Sequence, residues 1–274
     1  MAWLSRNKLL AFAAALVAVE IVLAAGAAWL APYDPVAQSV VRRLRGPTAL
    51  NWLGTDQLGR DVLTRILYGT RTSLVACTAA VGIALLAGGT LGLLAAFYRG
   101  WLDRIIMRLM DILFAFPVML LAIGIIAVLG PTTFSAATAI AVVYTPIFAR
   151  LLRGPALVIC ESEYVAGARA IGASDTRILI RHVLPNLASV VLVQTSLLLS
   201  AAILVEASLS FLGLGTQPPT PSLGLMLSEG RNFLLLSPWS ALFAGFAILF
   251  LSFGFNLLGD ALRDTLDPRL RGQP

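Results

Sequence analysis

Six apolar runs divide the chain, at residues 9–30, 73–97, 105–129, 134–152, 187–205 and 239–258. Each approaches the roughly 20 residues that a helix needs to cross a hydrocarbon core. Backbone polar groups in lipid must be satisfied internally, and runs of this length are too long for barrel strands, so each predicts a helix. The expected fold class is all-α: a polytopic membrane protein with six transmembrane helices. It is expected to form a single membrane domain over 1–274, with a core at 73–262 and an N-terminal helix at 9–30. The run at 9–30 follows Arg6 and Lys8 and ends in alanines, as a secretory signal would. Its apolar length exceeds the usual core of such signals, so it is expected to stay as a membrane helix.

Three polar segments interrupt the pattern, at 31–72, 153–186 and 206–238. Long non-spanning segments of a compact membrane domain usually carry function. Basic residues orient the spans, because cytoplasmic loops collect Lys and Arg. With the N-terminus inside, the inner segments hold Arg6, Lys8, Arg99, Arg104, Arg108, Arg150, Arg153, Arg169, Arg177, Arg181, Arg263, Arg269 and Arg271. The outer segments hold Arg42, Arg43, Arg45, Arg60, Arg65, Arg71 and Arg231. The bias places both termini in the cytoplasm and the segments 31–72 and 206–238 outside.

Within the spans, Ala76, Ala80, Ala84, Gly88, Gly92 and Ala96 recur every fourth residue and form one ridge of small side chains. Ala137, Ala141, Thr145 and Ala149 repeat the device. Small residues let helices approach closely where lipid supplies no hydrophobic drive. The ridges serve either tight packing within the bundle or a sliding surface between subunits. Pro117 and Pro146 each remove a helical hydrogen bond and should bend their spans. Glu20 lies near the middle of the first span with no basic residue at matching depth. It reads as a protonated or protein-facing group with a packing role, or as part of a proton or substrate path. Asp111, with Arg104 and Arg108 on the same face, predicts a snorkelling ion-pair cluster at the cytoplasmic end. Ser189, Ser196 and Ser200 share a face of the fifth span, with Gln194 adjacent. They line a polar path or hydrogen-bond between helices.

Composition narrows the chemistry. The chain is 58% hydrophobic and 12% charged, about half the charge of a soluble domain, and its net charge is +6. The Arg residues sit between apolar runs and not in a continuous stripe, which argues against nucleic acid as a partner. Cys77 and Cys160 have no neighbours at metal-ligand spacing and read as small apolar residues. There is no phosphate-binding GxxxxGK[ST] loop, no paired-carboxylate site and no Ser/His/Asp arrangement; the one histidine is His182. The expectation is a non-enzymatic chain that holds no metal and no cofactor. A self-energised carrier would place ionisable groups along an ion path, and only Glu20 appears near-central.

Residues 161–186 read ESEYVAGARAIGASDTRILIRHVLPN. The pattern predicts a short helix from about Glu163 to Ala170, with Glu163 near its N-terminus where the helix dipole favours a carboxylate. A left-handed reversal at Gly172 follows, then a second helix capped by Ser174 or Asp175 and ended by Pro185. Such an elbow would present Tyr164, Val165 and Ala168.

This elbow resembles the EAA loop of ABC-importer permeases, in which a Gly precedes Leu-Pro by twelve residues, here Gly172, Leu184 and Pro185. The family's Glu-Ala-Ala triplet reads Ala166, Gly167, Ala168, and Glu163 lies one turn upstream. The stretches WLGTDQLGRDVLTRILYGTRTSL (52–74), MRLMDILFAFP (107–117), EASLSFLGLGTQPPTPSLGLML (206–227) and FNLLGDALRDTLDPRLRG (255–272) are similar to blocks in peptide- and nickel-importer permeases. The resemblance is to the second, C-type permease of dipeptide/oligopeptide importers. It implies the type I importer permease fold and a cytoplasmic coupling helix that docks on a separate ATPase subunit. It also implies a homologous second permease, two ATPase domains that bind ATP and Mg, and an extracytoplasmic binding protein contacting 31–72 and 206–238. The ATPase-coupling residues it suggests are Glu163, Tyr164, Val165, Ala166, Gly167, Ala168, Arg169, Gly172 and Asp175. The candidate pore residues remain Ser189, Gln194, Ser196 and Ser200.

Overall fold

The computed structural model describes residues 8–266. Arg6, Arg269, Arg271 and the end of the block at 255–272 lie outside the described residues. Helices account for nearly all the regular structure. Among the described residues β-pairing is confined to one bridge, Thr55 with Asp61. Among the described residues five helices are long and apolar enough to span a membrane, and a further apolar pair is bent by 90° at a short break.

The first crossing is α1 (Lys8–Ala25), followed after Gly26 by the single turn α2 (Ala27–Leu30). The second, α3 (Val62–Tyr98), runs for 37 residues and starts well before the apolar run begins at 73. Asp61 caps it, its side chain accepting from the Thr64 amide at 2.8 Å. The polar first turns are buried by tertiary contacts: Thr64, Arg65 and Thr70 are all inside, and Gly69 is pressed against Ser222 and Leu223. A hydropathy pattern reports lipid exposure, not this kind of cover, so the helix begins before the apolar run does.

The third crossing departs most from expectation. A continuous helix over 105–129 is predicted, whereas the chain forms α4 (Gly100–Phe114) and α5 (Val118–Leu129), set at 90° across Ala115–Pro117. Pro117 removes a hydrogen bond, and its own ψ of 132° takes the chain out of the helix. Pro146, by contrast, stays within the continuous α6 (Thr133–Cys160), as does Pro155. After α6 come α7 (Glu163–Ala170) and α8 (Asp175–Ile178). A π turn (Leu179–Val183) and a 3-10 turn (Leu184–Leu187) then lead directly into α9 (Ala188–Phe211). Pro185 therefore does not end the second helix of the elbow. The wider π turn before it absorbs the missing amide, and the Asn186 side chain donates to the His182 carbonyl at 2.6 Å. After α9, α10 (Leu223–Arg231) precedes α11 (Trp239–Leu266).

Contacts between neighbouring helices fix their relative directions. A Cβ on Gly88 would overlap the Thr145 carbonyl, and one on Gly92 would overlap that of Ala149. Residue numbers rise together along both helices, so α3 and α6 are parallel. The two predicted small-residue ridges thus face each other within one chain, and the sliding-surface reading does not hold for them. Parallel neighbours require the chain to return between them, and the segment that does so is the bent pair of α4 and α5. The Arg99–Glu161 ion pair, at 2.9 Å, places the ends of α3 and α6 on one side. Glu20 meets Gly254, while Leu10 and Ala13 pack with Ala261, so α1 and α11 are antiparallel. Ser200 bonds Ser252 and Leu197 meets Gly259, so α9 and α11 are antiparallel too. Lys8, Arg99, the elbow and Leu266 consequently share one side of the bundle.

On the other side, a buried ionic clasp joins the segment before α3 to α10. Asp56 accepts from Arg60 Nε at 2.6 Å and pairs with Arg65; Glu229 accepts from Arg60 at 2.8 Å and lies 3.2 Å from Arg65. Asp56 also folds its own turn, accepting from the amides of Leu58 at 2.8 Å and Arg60 at 2.9 Å. The GTDQLGRD stretch is therefore a preformed turn that sets Asp56 and Arg60 in register with Arg65 of α3 and Glu229 of α10. Breaking such a pair strands charge out of water, so Arg65→Met should destabilise the fold by about 3 kcal/mol or more. Thermal unfolding of the purified protein in detergent measures this, and an unchanged Tm would show that the clasp carries no stability. The helix contact has its own test. Gly88→Ala should cost about 1–3 kcal/mol through overpacking, while Gly82→Ala, which meets nothing within 4 Å, should be nearly neutral in the same assay.

Candidate functional site

The elbow is built from a hydrogen-bond pattern that its sequence demands. At the end of α7 the Ala173 amide donates to the Ala168 carbonyl at 3.0 Å and the Gly172 amide to that of Arg169 at 2.9 Å. Gly172 sits at φ +80°, the left-handed conformation that closes a helix in this way. Ala168 and Ala173 join the same apolar cluster, which completes the motif. Ser174 stands at the start of α8, but no side-chain hydrogen bond caps that helix.

The elbow is anchored by the residues expected to be presented. Val165 and Ala168 turn inward and pack with Ala96 and Phe97 of α3, Leu152 and Ala156 of α6, and Ile178, Val183 and Leu187. Of the expected trio only Tyr164 is exposed. The reason is the helical period: positions three apart share a face, and the apolar pair on α7 is Val165 with Ala168. Arg169 lays its guanidinium over the Phe97 ring, 5.0 Å from the centroid. The Tyr164 hydroxyl accepts from Asn186 at 3.3 Å, and its ring lies 6.3 Å from that of His182. The outward surface consists of Glu163, Tyr164, Ala166, Gly167, Arg169, Gly172 and Asp175, with Ile171 at 86% exposure. Ile171 escaped the sequence reading; an aliphatic residue beside a helix-ending glycine was its one signal. The surface is backed by the packed residues Val165 and Ala168 and carries only small side chains at the exposed Ala166 and Gly167.

The polar positions of α9 separate into two groups. Ser196 is buried and donates to the Leu192 carbonyl of its own helix at 3.1 Å. Ser200 is buried against α11, donating to the Ser252 carbonyl at 2.7 Å. Ser189 and Gln194 instead line a cavity of about 410 Å³ on the elbow side, with Leu151, Val193, Leu197 and Arg263. The structure thus brings Ser189 and Gln194 together and holds Ser196 and Ser200 in helix contacts.

Two carboxylates lie inside the bundle. Glu20 packs on Gly254, and both of its oxygens lack hydrogen-bond partners. Glu206 was assigned to the outer segment, but α9 continues through it. At 1% exposure it accepts from Ser73 at 2.8 Å and Ser210 at 2.7 Å. Asp111 pairs with Arg150 at 2.5 Å and not with the arginines of its own helix. Among the described residues no three His, Cys, Asp or Glu side chains converge as a metal site would need.

The sequence that builds this helical bundle and its exposed elbow matches a known family. Residues 88–272 match the family described as "Binding-protein-dependent transport system inner membrane component". The chain is 48% identical over 252 residues to a glutathione transport system permease protein of Pectobacterium atrosepticum, covering 92% of this chain and 84% of the relative. It is 44% identical over 268 residues to a dipeptide transport system permease protein of Alkalihalophilus pseudofirmus, covering 98% and 88%. A glutathione transport system permease protein of Escherichia coli O157:H7 is 47% identical over 269 residues, covering 97% and 89%. The chain is thus a multi-pass membrane protein that belongs to the inner-membrane permease components of binding-protein-dependent, ABC-type transport systems.

Proposed function

We propose that this permease moves small peptides inward and that its elbow couples it to ATPase domains on separate chains. The carrying observation is the elbow: a short helix clamped to the ends of α3 and α6 by Val165 and Ala168, with its other face free. Such a face suits a helix-in-groove contact. Glu163, Tyr164, Ala166, Gly167, Arg169 and Ile171 would meet the groove. Val165, Ala168 and Gly172 would hold the contact at a fixed angle, and Asp175 would flank it. ATP binding that draws two such elbows together would bias the bundle between two packings.

In this reading the elbow side is the cytoplasm, so both ends of the chain lie there. ATP and Mg stay on the partner ATPases, and this chain binds no cofactor. A homologous second permease completes the pathway, while an extracytoplasmic binding protein delivers substrate to the surface formed by 31–72 and 206–238. Ser189 and Gln194 are the better-placed candidates for the pathway lining. The names of the relatives, glutathione and dipeptide permeases, support a peptide of a few residues as substrate.

Gly172→Val should abolish most ATP-dependent uptake while the protein remains in the membrane, because a β-branched residue is strained at φ +80°. Uptake into vesicles, alongside membrane quantitation, checks this; unimpaired uptake would remove the elbow from the mechanism. The chain purified alone should hydrolyse no ATP, and activity in a preparation free of other subunits would refute the division of labour.

A further inference from the structure

Helix α4 carries a surface that neither the elbow nor the bundle uses. Around its circumference four bands follow one another. Ile106 and Met110 are buried against Ala95 and Ala149. Asp103 and Asp111 turn to α6, where Arg153 grips Asp103 through two bonds of 2.6 Å and Arg150 takes Asp111. Arg104 and Arg108 come next, both exposed. Trp101, Ile105, Leu109 and Ile112 complete the turn, each at least half exposed and Trp101 at 67%. Among the described residues neither Arg104 nor Arg108 forms an ion pair, because the two acids on their helix are taken by α6.

The depth of α4 follows from those pairs. Arg150 and Arg153 lie 17 and 20 residues beyond Thr133 at the start of α6, or about 26 and 30 Å at the helical rise. The hydrocarbon core is about 30 Å thick, so the pairs stand at its elbow-side boundary. The perpendicular break before α5 then turns α4 along that boundary, not through it. An open cavity of about 620 Å³ lies beside Arg104 and Arg108, lined also by Ile105, Met107, Arg153, Asp103 and Asp111, the two acids being held by Arg153 and Arg150.

We propose that α4 is an interfacial helix that binds anionic phospholipid. Arg104 and Arg108 hold the headgroup phosphate, and the Trp101, Ile105, Leu109 and Ile112 stripe lies among the acyl chains. A basic band beside an apolar, Trp-bearing band at this depth is the arrangement that surface-lying helices use. Charge complementarity selects the occupant, since two unpaired guanidiniums at a lipid boundary favour an anionic headgroup over a zwitterionic one. A second protein covering this face would have no reason to prefer a charged lipid.

The test uses the full chain, purified in mild detergent with whatever subunits accompany it and exposed to mixed micelles of phosphatidylglycerol and phosphatidylcholine. Retained lipid is counted by mass spectrometry. Wild type should retain phosphatidylglycerol selectively, and inorganic phosphate should not displace it. The double variant Arg104→Gln/Arg108→Gln should lose that preference by roughly tenfold or more, as expected for two basic residues near a charged surface. Arg104→Lys/Arg108→Lys should keep most of it. Equal retention of the two lipids by wild type overturns the proposal without reference to any variant. So does an undiminished preference in the Gln variant, and displacement by inorganic phosphate would assign the site to a free anion instead.

Discussion

The parallel contact of α3 with α6 is the constraint on which the rest of the molecule depends. Its ridge positions carry residues no larger than Thr, and Gly88 and Gly92 bring backbone against the Thr145 and Ala149 carbonyls with no room for a Cβ. In lipid this closeness is the main source of helix affinity, since apolar side chains gain little by leaving acyl chains for one another. Once these two helices run the same way, the segment between them must recross the membrane. The short α5 does so only with α4 turned along the boundary.

The same pair also anchors the elbow. Ala96 and Phe97 end α3, Leu152 and Ala156 lie near the end of α6, and both sets share one apolar cluster with Val165 and Ala168. A push on the outer face of α7 is therefore delivered to a packed body that includes two spans and the start of α9. Close-packed interiors transmit such displacement instead of absorbing it. The clasp of Asp56, Arg60, Arg65 and Glu229 ties the start of α3 to α10 at the opposite side of the bundle.

Buried carboxylates mark where polar groups were placed at a cost. Glu206 has two serine donors, which offset its burial and bind α3 to α9. Glu20 has no donor and rests on Gly254, whose missing side chain makes the space it occupies. An unpartnered carboxyl in an apolar contact is costly. Its persistence between α1 and α11 is a feature of the interface that hydrophobic packing alone would not produce.

Much was legible in the residue pattern because lipid imposes a simple rule: a span must be apolar for about 20 residues. The all-α class, the crossings and the small-residue ridges follow from it. The bounds of α7 and the left-handed Gly172 follow from local capping chemistry, which needs no distant partner. What only the tertiary structure decided lies where distant segments meet. The polar start of α3 is helical because α10 covers it, and Val165 and Ala168 face inward because α3 and α6 end beside them. Asp103 and Asp111 leave their neighbouring arginines unpaired because Arg153 and Arg150 reach them first. A linear pattern records how one segment meets solvent or lipid; it holds no record of which other segment arrives to replace them.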